Sequence, residues 1–226
     1  MIKTSRIIHG LEFVASIPKS FYASWRLTTF KRAWKLPVRC RYNVKLLNLS
    51  GVMTGGGIFK IGFNRTGIFD VRHQRSMLNV EGTMVVDGNV GIGAGARIDV
   101  NKGGVLHFNG QVGNSAGVTI VCADYIEIGD HTALSWDTLI IDKDYHYVLD
   151  VNTGKTKINH KPIKIGKNAW LCAGSKVLKG SVLPDGCILS AGSVLNKAYE
   201  ECNCLLIGNP AVIVKRGVTR SNIEIK

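Results

Sequence analysis

The sequence predicts an all-β chain wound as a parallel β-helix, and three observations predict it. Stepping by six from Ile165 meets Leu171, Val177, Leu183, Leu189 and Leu195, all branched aliphatics at one phase. Two residues before each stand Ile163, Ala169, Ser175, Ser181, Cys187 and Ser193, all but the first small. Gly166, Asn168, Gly174, Gly180, Gly186 and Gly192 punctuate the same stretch. A period of six fits neither the 3.6-residue turn of a helix nor the two-residue alternation of a long strand. It fits a short strand followed by a corner, three of which close a triangular coil of about 18 residues. Aliphatics fill the interior, small residues sit where the chain bends, and Gly or Asn takes the left-handed backbone of a tight corner at low cost. Stacked coils then pair each backbone group with the coil above and below.

The elements follow in chain order. Residues 1–77 form an N-terminal basic and aromatic capping segment, with a helix expected over 17–36 between Pro18 and Pro37 and β-like pieces such as Ile58–Phe63. The β-helix occupies 78–200. Its earlier runs are Val80, Val86, Ile92 and Ile98, then Leu106, Val112 and Val118, then Ile128, Leu134 and Ile140, and each slip of phase marks a bulge or an enlarged corner. The beat fails over 142–162, a long loop ejected from the solenoid, which is either a tolerated insertion or a working part. Residues 201–226 are a tail that folds back after Pro210 as a short strand or helix.

Composition narrows the function classes. The formal charge is +13, and residues 1–45 carry nine of those charges: Lys3, Arg6, Lys19, Arg26, Lys31, Arg32, Lys35, Arg39, Arg41 and Lys45 against Glu12 alone. Seven rings (Phe13, Phe21, Tyr22, Trp25, Phe30, Trp34, Tyr42) share that segment. Basic and aromatic residues together suit an anionic membrane surface, a nucleic acid or a phosphorylated ligand; a segment whose rings pack and whose charges face water needs none of these. The six cysteines form no CxxC pair and no metal-finger spacing, and several fall on the beat, where a reduced thiol serves as a small core residue. No apolar run approaches a membrane span, and Lys3, Arg6, His9 and Glu12 make a poor signal peptide. A cytoplasmic chain without structural disulfides, with membrane association left open, is the expectation.

Four motifs in order resemble the left-handed β-helix (hexapeptide-repeat) acyltransferases, and within them the bacterial polysaccharide and sugar O-acetyltransferases. They are Ile165-Gly166-Lys167-Asn168-Ala169-Trp170-Leu171, Leu189-Ser190-Ala191-Gly192-Ser193-Val194, Gly208-Asn209-Pro210-Ala211, and the run from Leu134-Ser135-Trp136-Asp137 to Asp142-Lys143-Asp144-Tyr145-His146. The resemblance covers roughly residues 80–216. Cys172 and Asn196 depart from it. The first 77 residues lack the compact helical starter of the maltose- and galactoside-type enzymes, which favours the capsule or O-antigen branch.

The resemblance implies acetyl-CoA as acyl donor, a sugar hydroxyl of a surface polysaccharide or its precursor as acceptor, direct transfer without an acyl-enzyme, and a homotrimer with its site between subunits. His146 then stands as general base, since an imidazole titrates near working pH, with Asp142 and Asp144 as its carboxylate support. Trp170, Ala173 and Ala191 would line the pantetheine arm, and Lys197, Lys215 and Arg216 would meet the CoA phosphates. Asn114, Ser115 and Trp136 are the acceptor-side candidates, Trp136 reading also as packing between coils. His131 reads as a solvated corner residue and His160 as a residue at the loop's end.

Rival readings fit less of the chain. A zinc hydratase on this fold needs three closely arranged histidines, and no His-x4-His occurs, so no metal site is expected. Residues 1–77 are too short for the helical domain of a serine acetyltransferase. A non-catalytic β-helix that binds an anionic membrane or nucleic acid through the basic N-terminus leaves the His146 loop and the Gly208–Ala211 ending without a role. The expected partners are a second and third copy, a sugar or polysaccharide acceptor and the inner membrane surface, with no nucleic acid.

Overall fold

A computed structural model describes residues 2–64, 66–70 and 73–221, with side chains from residue 10 onward. Lys3, Arg6 and His9 therefore lie outside the described side chains. The chain is a three-sided parallel solenoid. Its first face holds Val38–Cys40, Ile58–Ile61, Asn89–Ile92, Val112–Asn114, Thr132–Leu134, Trp170–Leu171, Ile188–Leu189 and Cys204–Gly208; the last of these turns back into antiparallel Ala211–Arg216, the tail expected after Pro210. The second face holds Lys45–Leu46, Met77–Val80, Arg97–Val100, Thr119–Cys122, Leu139–Ile141, Lys176–Leu178 and Val194–Leu195. The third holds Val52–Thr54, Thr83–Val86, Val105–Asn109, Tyr125–Gly129, Ile163–Ile165 and Val182–Leu183. Successive strands visit the faces in rotation. Three edges follow, 1–2, 2–3 and 3–1, where the chain turns a corner.

The six-residue beat is the inside of this prism. Every aliphatic named for it, from Val80 to Leu195, is buried. The beat residues stack from coil to coil: Leu171 lies beside Leu189 and then Leu206, and Val177 beside Leu195. Each is worth about 1.5–3 kcal/mol in burial. The beat is strict only where a coil takes 18 residues, as between Trp170 and Ile188. Upstream, Val112 pairs with Thr132 and Val90 with Val112, so those coils are a few residues longer, and the phase slips. Asn101–Gly104 at edge 2–3 is one such enlarged corner.

Enlarged corners also hide the start of the solenoid. Strand pairing begins at Val38, inside the segment 1–77 read as a cap, and the helices end at Ala33. Helix α1 spans Ile2–Leu27 and α2 spans Phe30–Ala33. The helix expected over 17–36 thus begins far earlier and runs through Pro18. Pro18 cannot bond the Val14 carbonyl, but both residues are exposed, so water can take that carbonyl.

A serine ladder docks α1 onto the open edge of the first strand. Ser24 Oγ accepts from Val38 N (3.0 Å) and donates to Val38 O (3.0 Å); Ser20 Oγ does the same for Cys40 (3.0 and 3.2 Å). Ser16 Oγ accepts from Tyr42 N at 2.9 Å. Serines four apart on one helix face match strand residues two apart, so an edge that would otherwise recruit another strand is closed.

Candidate active site

The loop at 142–162 leaves edge 2–3, between Leu139–Ile141 on the second face and Ile163–Ile165 on the third. It forms a two-armed antiparallel ribbon, bridged at Lys143–His160 and at Leu149–Thr156. Asp144 N donates to Asn159 O (2.6 Å), Asn159 Nδ2 to Asp144 O (3.1 Å) and Lys157 N to Val148 O (2.9 Å). Asp150 Oδ1 caps the tip by accepting from Asn152 N and Thr153 N. His146 lies on the outgoing arm, exposed, and no hydrogen bond or ion pair joins it to another described residue. Tyr145, Tyr147, Val148, Leu149, Val151 and Ile158 are exposed beside it, an apolar surface on an otherwise polar arm.

The two carboxylates expected to support His146 are engaged elsewhere in the single chain. Asp142 is fully buried and accepts from Ala123 N (2.7 Å) and Asp124 N (2.9 Å), while its carbonyl accepts from Lys161 N (3.0 Å). It clamps both ends of the ribbon to the coil beneath. Burial raises its pKa above the ordinary carboxylate range, against the pull of those two amides. Asp144 pairs with Lys179 from the next coil. A cleft of about 360 Å³ opens there, lined by Asp144, Val148, Lys157, Asn159, Lys161 and Lys179. A second, of about 450 Å³, is lined by Lys143, Tyr147, Lys157 and His160 among others. His160 Nδ1 lies 3.0 Å from Asp124 Oδ2, and His131 sits at edge 3–1 with φ of 58°, half-exposed beside Asp130, as a corner residue should.

Edge 1–2 carries a different set. Ser135–Thr138, Cys172–Ser175 and Ser190–Ser193 stack there as consecutive corners: Gly174 N donates to Trp136 O (2.9 Å) and Gly192 N to Ala173 O (3.0 Å). Gly174 and Gly192 have φ of 67° and 69°, and a Cβ at Gly192 would meet nothing within 4 Å. That corner column is open to a narrow ligand, with Ala173 and Ala191 one coil apart upon it. Trp170 flanks it, and its Nε1–H donates to Ser135 Oγ at 3.0 Å, which pins the indole across two coils. Sequence reasoning quoted Ser135 without giving it this role; its signal is a hydroxyl one coil ahead of the tryptophan. Trp136 is two-fifths exposed beside the column rather than packed between coils. Another insertion, between Ile61 and Met77, lies over the upper part of this edge, where a Cβ at Gly117 would meet the Phe69 ring at 2.8 Å. The beat gives no warning of it.

Other expected site residues fall elsewhere. Asn114 is buried, with Oδ1 accepting from Gly93 N (2.9 Å) and Nδ2 donating to Leu134 O (3.0 Å), so its amide stitches three coils together; Ser115 is half-buried beside it. Lys197 follows the second-face strand Val194–Leu195, hence edge 2–3, with its Nζ 5.0 Å from the Tyr199 ring centroid. Lys215 and Arg216 end the returning strand near edge 3–1, where Arg216 Nε pairs with Glu201 at 3.0 Å. One chain therefore holds the expected residues on three edges. It brings Trp170, Ala173, Ala191 and Trp136 together and leaves His146, Lys197, Lys215 and Arg216 apart from them.

Four of the thiols sit where burial disfavours the thiolate. Burial pushes Cys40 up to about 12 and Cys187 up to about 11, and raises Cys122 and the half-buried Cys172 as well.

No family model matches the chain. Among curated proteins it is 27% identical over 205 residues to an uncharacterised 24.8 kDa protein of the cps region of Klebsiella pneumoniae, across 86% of each chain. It is 27% identical over 152 residues, across 60% of this chain and 73% of the other, to WbbJ of Escherichia coli K12, named as a candidate lipopolysaccharide-biosynthesis O-acetyl transferase. Among solved structures it is similar in fold to the polySia-specific acetyltransferase NeuO, with a TM-score of 0.51 and 17% identity over 83% of this chain and 80% of that one. The left-handed β-helix expected from the motifs is the fold found, shared with NeuO, and the sequence likeness to WbbJ runs in the direction of the resemblance that the motifs carry.

Proposed function

We propose that this acyltransferase moves an acetyl group from acetyl-CoA to a sugar hydroxyl of a surface polysaccharide or its precursor, with His146 as general base. The observation that carries the reading is the pairing of an exposed imidazole on a clamped arm with an open column of left-handed corners beside a pinned indole. The column offers backbone groups at Ala173 and Ala191 to a thin, amide-bearing chain such as pantetheine. The His146 ring takes the proton of the acceptor hydroxyl, whose oxygen attacks the thioester carbonyl. The C–O bond forms, the C–S bond breaks, and the proton passes from His146 to the leaving thiolate. No acyl-enzyme is needed, and burial disfavours the thiolate of Cys172, the thiol on the column itself.

Arm and column lie on neighbouring edges of one prism, flanking its second face, so the reaction needs two copies. A second copy rotated about an axis along the solenoid sets one copy's arm against the other's column and covers the exposed Tyr145, Tyr147 and Val148. Repeated, this closes a trimer. Lys197, on the same edge as the arm, is then the cation to meet the CoA phosphates, while Lys215 and Arg216 lie on edge 3–1 away from that junction; Asp142 is a positioning residue that fixes the arm. The acceptor class is that named for WbbJ and for NeuO.

The test is transfer of radiolabelled acetyl from acetyl-CoA to the glycan fraction of a capsule- or lipopolysaccharide-bearing cell, using wild type and His146→Ala. His146 is exposed, so the variant should melt within about 1 °C of wild type while losing on the order of 10²–10⁴ in rate. Saturating acetyl-CoA should raise the melting temperature of both, since a ligand at 100 times its Kd adds about 2.7 kcal/mol. Unchanged transfer in the variant would remove His146 from the mechanism. No thermal shift at millimolar acetyl-CoA would remove the donor.

A further inference from the structure

The outer face of the N-terminal cap is apolar and aromatic, and it is ringed by unpaired cations. Among the described side chains of α1 the buried ones are Ser16, Ser20, Ala23, Ser24 and Leu27, so the inward stripe is mostly hydroxyl. Leu11, Val14, Pro18, Tyr22 and Trp25 recur at three- and four-residue steps on the opposite stripe, and all are exposed, Leu11 and Val14 by more than three-fifths. This is the reverse of a surface helix, which turns its apolar stripe inward. The rings continue past the helix end. Phe21, Trp25, Phe30 and Trp34 form an edge-to-face knot with centroids 4.9–6.1 Å apart, and Trp34 remains 70% exposed. The serine ladder already closes the strand edge beneath, so the knot is not required to cover the core.

Arg26, Lys31 and Lys35 surround the knot, are exposed, and form no ion pair with a described residue. No Asp or Glu occurs between Glu12 and Asp70. We propose that this end of the solenoid docks on an anionic lipid bilayer, the rings and Leu11 and Val14 entering the interface while the cations meet lipid headgroups. Rings and aliphatics suit the headgroup–acyl boundary, and clustered Lys and Arg suit its negative potential. A nucleic acid would use the cations but gives Leu11 and Val14 nothing to contact. A second copy placed symmetrically would bring Arg26, Lys31 and Lys35 against themselves with no acid to relieve them. No described helix is long and apolar enough to cross a membrane, so the contact is peripheral.

Flotation of the full chain tests this, with phosphatidylcholine vesicles alone and with phosphatidylglycerol added. Flotation should require phosphatidylglycerol and fade with salt. Each cation near such a surface contributes about fivefold in partitioning, so Arg26→Gln/Lys31→Gln/Lys35→Gln should bind about 100-fold more weakly. Trp34→Ser alone, at an exposed position, should weaken binding at low salt, and brominated phosphatidylglycerol should quench the wild-type tryptophans. Absent flotation, equal flotation with neutral vesicles, or no quenching would overturn the proposal. So would salt-steep binding to an oligonucleotide that prevents flotation, or self-association without flotation that Trp34→Ser abolishes.

Discussion

The serine ladder makes a demanding test of how the solenoid begins. In Ser20→Ala/Ser24→Ala the N–H and C=O of Val38 and Cys40 lose their partners at an interface where both serines and both strand residues are buried. A buried backbone group left unpaired costs about 1–3 kcal/mol, and alanine returns about 0.5 kcal/mol of helix propensity for each serine replaced. Some of the four orphaned groups will recover a water, so each site should lose about 2 kcal/mol and the pair about 4 kcal/mol. In a chain of this size 1 kcal/mol shifts Tm by about 2–4 °C, so the double variant should melt about 8–16 °C lower. Because coils couple mainly to their neighbours, the loss should start at the N-terminal end. Hydrogen exchange read residue by residue should show the Val38 and Cys40 amides losing protection before those of Leu171 or Leu189. Ser50→Ala, at an exposed position, is the control. A double variant that melts within about 2 °C of wild type, with those two amides still protected, would refute the ladder as the device that closes the edge.

Two further perturbations probe the coils and the arm. Gly166→Ala places a Cβ 2.4 Å from Asp185 Oδ1 and 2.5 Å from Asp185 N, a contact no rotamer relieves, so a loss of at least about 3 kcal/mol in urea midpoints is expected; Gly113→Ala, where nothing lies within 4 Å, should be near neutral. Asp142 has its pKa raised in the fold by burial, so its contribution to stability is fullest below the unfolded carboxylate value and is lost as pH rises through the folded one. Asp142→Asn should therefore remove a fall in stability over that acid range, visible as a flatter plot of midpoint against pH than wild type; an unchanged slope would show that the group does not titrate there.

The beat is legible because facing inward is a local property. In a strand the alternation of side chains decides it, and a repeat of six carries that decision around a three-sided prism without reference to distant residues. Ile165, Leu171, Val177, Leu183, Leu189 and Leu195 are accordingly all core, His131 takes a corner, and the residues between Lys143 and His160 leave the solenoid as a ribbon. The insertion near Phe69 and the coils from Val38 are not legible, since their corners are long enough to break the period. The N-terminal helix runs on through Pro18 against expectation; the hydrogen bond that proline removes is tolerable there because the freed Val14 carbonyl faces water.

The prism and the inventory of its parts can be read from the chain alone: the repeat, the arm with its imidazole, the small residues of the column and the basic, aromatic cap. Which parts meet is a matter of how the chain winds. Ala191 and Lys197 stand six residues apart, which is one side of the prism, so the winding carries them to successive edges however close they are in the chain. Asp142 looks like a partner for His146 in the sequence and is instead consumed by the amides of the coil below. Ser16, Ser20 and Ser24 have the character of a solvent face, yet they form the buried one because an open strand edge offers hydroxyl groups what no aliphatic could use: a donor and an acceptor at Val38 and at Cys40, and a donor at Tyr42.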